Sequence, residues 1–173
     1  MNSTKREMLM QKLPAAADIL ALVPVSGEKG RNATVIHTIT GACLTLAATT
    51  EYVLSCLAER EDKELRLIRQ NASRRLARRR NIILPILHGC VLAPIMVRPV
   101  QKRCGRLGYV NIACCPLVAP CPSGTDLALK SGAVIHSLWQ MRTVKNLVHE
   151  GRAVHFKLLV DVRRQLRSAE ELS

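Results

Sequence analysis

The stretch from Gly41 to Ile83, GACLTLAATTEYVLSCLAEREDKELRLIRQNASRRLARRRNII, constrains this chain more than any other. It starts uncharged and rich in Ala, Thr and Leu, and passes into closely interleaved charges. It ends in a block of arginines, Arg74, Arg75, Arg78, Arg79 and Arg80, that abuts an apolar run. Glu59–Lys63, Arg60–Glu64 and Asp62–Arg66 are opposite charges four residues apart, a spacing that supports a helix by about 0.2–0.5 kcal/mol per pair. Leu65, Ile68, Ala72 and Leu76 recur at helical spacing and give that helix a narrow apolar stripe. The segment therefore reads as one long helix near 41–78 with a basic end that has no acidic neighbours.

Around it the signals are shorter. Thr4-Lys5-Arg6-Glu7 has the form of a capping box and opens a helix carrying Met8, Leu9 and Leu13, which Pro14 ends. A second short helix is expected from Ala15 to Val23, stopping at Pro24. Residues 32–58 carry few charges, and residues 82–97 form the most apolar run, broken by Pro85 and Pro94. The first is too rich in Thr, and the second too short, for a membrane span of about 20 apolar residues, so both read as core. Residues 98–124 are rich in Pro, Gly and Cys and read as an irregular connector with one short strand at Tyr109–Ala113. A further helix is expected from a cap at Thr125 or Asp126 to Glu150, with Gly151 as its stop. Beyond Arg163 the tail looks helical and solvated.

The expected fold is mainly α, with a long central helix near 41–78, flanking short helices and a C-terminal helical region. Three regions follow: a helical domain over 1–97, a Cys/Pro-rich linker over 98–124 and a helical extension over 125–173.

Charge narrows the function. The chain carries 26 Lys and Arg against 13 Asp and Glu, a net charge of +13. Residues 61–80 alone hold eight basic against three acidic side chains. Such a surface suits nucleic acid, an anionic membrane or an acidic partner. With one Trp, one Phe and two Tyr, the composition disfavours a base-stacking platform for single strands, so nucleic-acid contact would be mainly phosphate-directed. The same scarcity disfavours an extensive sheet. The seven cysteines are odd in number and the N-terminal stretch does not read as a signal peptide, which points to a reducing compartment.

Site chemistry is sparse. His88, Cys90, Cys104, Cys114, Cys115 and Cys121 lack the close cysteine pairs of structural zinc sites, so no metal and no cofactor is expected. His88 and His136 read as satisfied core residues. Ser26-Gly-Glu-Lys-Gly30 lacks the spacing of a phosphate loop. No nucleophile elbow or acid–base constellation is present, and the reading is non-enzymatic.

Gly41, Ala42, Leu46, Ala47, Ala48, Glu51 and Tyr52 resemble the start of the central helix of the core histone family, two-A type. Asn71-Ala72-Ser73, Leu76 and Arg80 are similar to the end of that helix and its loop in the Z-type variant. The self-paired block around Glu61–Arg66 lies outside the match. The resemblance implies a nuclear, histone-like chromatin protein that binds the DNA backbone and forms a heterodimer with a second histone-fold subunit. It assigns phosphate contacts to Arg78, Arg79 and Arg80, to which the i,i+4 spacing of the arginine block adds Arg74 and Arg75, and partner contacts to Leu46, Val53, Leu57 and Ile82. Glu51 and Glu59 would belong to an acidic patch. The alternatives are a basic membrane-associated protein using 32–58 and 82–97 as apolar segments, or a chain that folds poorly and has no settled function.

Overall fold

The apolar run 82–97 pairs with itself as a hairpin, and its second strand lies within a six-stranded sheet buried on both faces. The computed structural model describes residues 3–98, 105–114 and 116–170. In chain order these form α1 (Ser3–Lys12), β1 (Ile19–Ser26), β2 (Asn32–Thr38), β3 (Cys43–Leu46), α2 (Thr50–Arg60) and α3 (Leu65–Leu76). There follow β4 (Leu84–Leu87), β5 (Cys90–Met96), β6 (Leu107–Asn111), β7 (Leu117–Cys121), β8 (Gly124–Ala128), β9 (Val134–Ser137) and α4 (Met141–Glu170). The large sheet has the order β3-β2-β1-β6-β5-β4, and a smaller one the order β7-β8-β9. All neighbours are antiparallel.

The chain is thus α+β, not mainly α. The physical reason is visible in β5, where Cys90 and Leu92 join one core while Val91, Ala93 and Ile95 join the other. A strand buried on both faces has no polar alternation to betray it and reads simply as an apolar run. Aliphatic side chains fill the space that aromatics occupy in other sheets. One face is covered by residues of α2 and α3 (Val53, Leu54, Leu57, Leu65, Ile68) with Leu13. The other packs against α4 through Val144, Leu147 and Val148, together with Leu127 and Ile135 of the small sheet.

The long central helix does not form. The segment from Gly41 begins with a turn at that residue, where φ is +84°, and continues as β3. Its helix starts only after Thr49, whose side chain accepts from the Tyr52 amide at 3.2 Å. That helix stops at Arg60, and the next begins at Leu65, with Asp62 between them at a φ of +53°.

Two of the three expected charge pairs across the break, Glu59–Lys63 and Arg60–Glu64, give way to tertiary contacts, while Arg66 of the third stands 3.4 Å from its neighbour Glu64. Arg6 binds Glu59, Arg60 donates to the Leu13 carbonyl at 2.7 Å and to that of Pro14, and Lys63 donates to the Ile86 carbonyl. A carbonyl at a helix or strand end gains more from such a donor than an exposed pair gains in water, where ion pairs contribute ~0–1 kcal/mol. The stripe of the second half is kept: Leu65, Ile68 and Ala72 are buried in α3.

Other boundaries shift as well. Residues expected to continue a second helix from Ala15 form β1, which takes Pro24 within it. The expected linker contributes β6, a central strand of the large sheet, and β7. The helix expected from 125 to 150 is instead β8, β9 and the first part of α4. Gly151 does not stop α4. A Cβ there would stand 2.8 Å from Ile112 Cγ1, so the glycine lets the helix lie directly on that side chain. Thr4, the expected cap, lies outside the described side chains, as do Cys104 and Cys115 among the cysteines.

Candidate nucleic-acid interface

The arginine block divides in two. Arg74 and Arg75 belong to the last turn of α3, which Ala77 terminates in the left-handed conformation at a φ of +49°. The Arg78 amide returns to the Ser73 carbonyl at 3.1 Å and closes the cap. Arg78, Arg79 and Arg80 therefore leave the helix and lie in the following turn, so they do not repeat the positions of Arg74 and Arg75 along one helical face. Cations at a helix C-terminus are stabilised by its partial negative charge, which helps hold this cluster together.

Their environments differ. Arg78 is partly buried and donates through Nη2 to Glu150 at 3.0 Å and through Nη1 to the Asn81 carbonyl at 3.4 Å. It ties the end of α3 to the middle of α4 and belongs to the fold. Arg74, Arg75, Arg79 and Arg80 are exposed, and among the described residues none of their side chains has an acidic or carbonyl partner. The contrast with the other arginines of the three N-terminal helices is informative. Arg6 is paired with Glu59, Arg60 holds two carbonyls, Arg66 stands 3.4 Å from Glu64, and Arg69 grips Glu51 with both terminal nitrogens.

The α3 terminus continues onto α4. A groove lined by Ala72, Arg75, Leu76, Ile83, Val154 and Lys157 separates the two helices and carries a cation on each side. Farther along α4, Arg152, Arg163, Arg164 and Arg167 are exposed. Its 30 residues extend roughly 45 Å at the ~1.5 Å rise of an α-helix, a length comparable to a turn or more of duplex. The aromatics do not contribute a stacking surface: Tyr109 is buried, Tyr52 lies under Arg6 at 5.7 Å, Trp139 packs on the core, and only Phe156 is exposed.

The other residues singled out from the sequence lie elsewhere. Leu46, Val53 and Leu57 are buried in the chain's own core, and the partly buried Ile82 packs against it. Glu51 and Glu59 are bound by Arg69 and Arg6. Residues 32–58 and 82–97 are strands and a helix of the core, and no helix among the described residues is long and apolar enough to cross a membrane.

One cluster was not anticipated. His136, expected in the core, is half-exposed on β9, where Nδ1 lies 2.9 Å from Asp126 Oδ1 and 3.4 Å from Cys121 Sγ. The hydrogen bond from His136 holds the Asp126 carboxyl below the usual carboxylate range. Reading 125–150 as a helix hid the cluster, because only a strand places residue 126 opposite residue 136. By contrast, Cys90 is buried and desolvation pushes its thiol up to about 12, which makes it inert.

Comparison of the chain with known protein families, with characterised protein sequences and with solved structures gives no match.

Proposed function

We propose that this protein binds duplex DNA through its phosphate backbone, without reading sequence, using the exposed arginines at the end of α3 and the cationic face of α4. One observation carries the reading: among the described residues Arg74, Arg75, Arg79 and Arg80 stay unpaired, whereas the other arginines of α1, α2 and α3 are all engaged. Four guanidiniums held near one another repel, and a polyanion relieves that repulsion while releasing its own counterions. The shortage of exposed aromatics favours duplex over single strands, whose binders rely on stacking. Among the described residues no cluster of base-reading Asn, Gln and Arg accompanies the block, so contacts would position the protein rather than select a site.

The histone-type partner and acidic patch do not enter this proposal, because the residues assigned to them serve the chain's own core and ion pairs. The nuclear setting rested on the same resemblance and is not needed for backbone binding.

Fluorescence anisotropy with two duplexes of unrelated sequence and one single strand of equal length tests the reading. Equal affinity for the duplexes, weaker binding to the single strand and a steep loss of affinity with salt are expected. Binding that ignores salt, or strong preference for one duplex, would contradict it.

A further inference from the structure

We propose that the outer face of the small sheet holds a zinc-class divalent cation through Cys121 Sγ, His136 Nδ1 and Asp126 Oδ1. The three atoms all lie within 4.8 Å of one another. They arrive there by strand geometry. Asp126 and His136 are direct cross-strand partners on β8 and β9. Cys121 is paired with Gly124, two residues before Asp126, so the alternation of side chains puts all three on one face. The opposite face, with Thr125, Leu127, Ile135 and Ser137, is buried, which anchors the frame. Gly124 makes the hairpin tight: with φ at +154°, a Cβ there would fall 2.1 Å from the Ser137 carbonyl oxygen. The turn that follows Cys121 therefore cannot drift away from β9.

The spacing fits tetrahedral coordination. With Zn–S near ~2.3 Å and Zn–N and Zn–O near ~2.0 Å, sulfur and nitrogen stand about 3.5 Å apart, and nitrogen and oxygen about 3.3 Å. The observed separations are 3.4 Å and 2.9 Å, so small side-chain rotations suffice. Without a metal, both His136 and Cys121 hydrogen-bond to the Asp126 carboxylate, and a cation among the three takes the place of those protons. Ser123 Oγ lies 3.3 Å from Nε2, on the far side of the ring. In the metal-bound form the ring proton sits on Nε2, where that hydroxyl accepts it, and the Nδ1 lone pair faces the metal, the usual support of a ligating histidine. The thiolate and imidazole select zinc or cobalt over magnesium and calcium, which prefer oxygen. Binding replaces the Cys121 thiol proton with the metal, so the proton leaves to solvent and the fourth position takes water.

A second pair supplies an internal control. Cys43 Sγ stands 3.4 Å from His37 Nδ1, with no carboxylate completing the group among the described residues.

Titration of the reduced full chain with Co(II) at neutral pH, followed by back-titration with Zn(II), tests the proposal. One equivalent should produce the near-ultraviolet thiolate-to-cobalt band, and zinc should bleach it. Cys121→Ser should abolish the band and Cys43→Ser should leave it. Ser123→Ala should weaken affinity by about tenfold, as loss of a supporting hydrogen bond does. Should His136→Asn fail to fold, the near-isosteric Asp126→Asn replaces it, and weaker binding is expected. Zinc should also slow alkylation of Cys121, located by peptide mass mapping. No band at stoichiometric cobalt, a band that survives Cys121→Ser, or alkylation of Cys121 unaffected by zinc would overturn the proposal.

Discussion

Asn111 shows how one side chain holds an irregular place in this sheet. The ladder between β1 and β2 shifts register between Ile19 and Ala21, and near this bulge Leu20 and Ala21 both face the same core. Asn111, 1% exposed, donates to the Ile19 carbonyl at 2.8 Å and to that of Gly89 at 3.0 Å. Its Oδ1 accepts from the amides of Val91 and Ala113, each at 3.1 Å. The carboxamide thus saturates its capacity and joins β1, β5 and the turn after β6. Asn111→Ala leaves several buried backbone groups without partners, at about 1–3 kcal/mol for each that water cannot reach. A loss of roughly 3 kcal/mol or more is expected in urea unfolding, and a loss under 1 kcal/mol would mean that water replaces the side chain.

Among the elements, α4 is the one whose sequence misleads most. Gly151 in a helical pattern ordinarily marks an end, yet here it permits contact with Ile112. In an exposed helix Gly→Ala stabilises by about 1 kcal/mol. At this site the added methyl meets a buried side chain, and overpacking of this kind costs ~1–3 kcal/mol. Gly151→Ala is therefore expected to lower the melting temperature, and an increase would show that Ile112 moves aside freely.

The same element explains what was legible. The apolar stripe of α3 was readable because local periodicity and tertiary burial agree there, at Leu65, Ile68 and Ala72. The sheet was not readable, because β5 and β1 are covered on both faces and lose their alternation. The break at Glu61–Glu64 was hidden for a related reason. Charges at helical spacing favour a helix locally, but Arg60 and Lys63 find backbone carbonyls of Leu13, Pro14 and Ile86 that no local pattern reveals. The arginine block was visible from the start. Its division into a structural Arg78 and four exposed neighbours was not, since Glu150 lies 72 positions away.

Across the whole molecule, the large sheet separates two layers with different charge use. On one side the helices consume their charges in ion pairs and carbonyl clips. The basic excess collects where the end of α3 meets α4, where Arg74, Arg75, Arg79 and Arg80 are exposed and unpaired among the described residues. A fold of this kind needs no partner subunit to bury Leu46, Val53 or Leu57, so DNA binding should be a property of the isolated chain. The decisive measurement is the salt dependence of duplex binding by the Arg74/75/79/80→Ala variant, beside the wild type. Each lost phosphate contact removes about 0.9 from the slope of log affinity against log salt, so a slope lower by about 3 to 4, with affinity weakened equally for unrelated sequences, is expected. A variant that stays folded and keeps the wild-type slope and affinity would contradict the account.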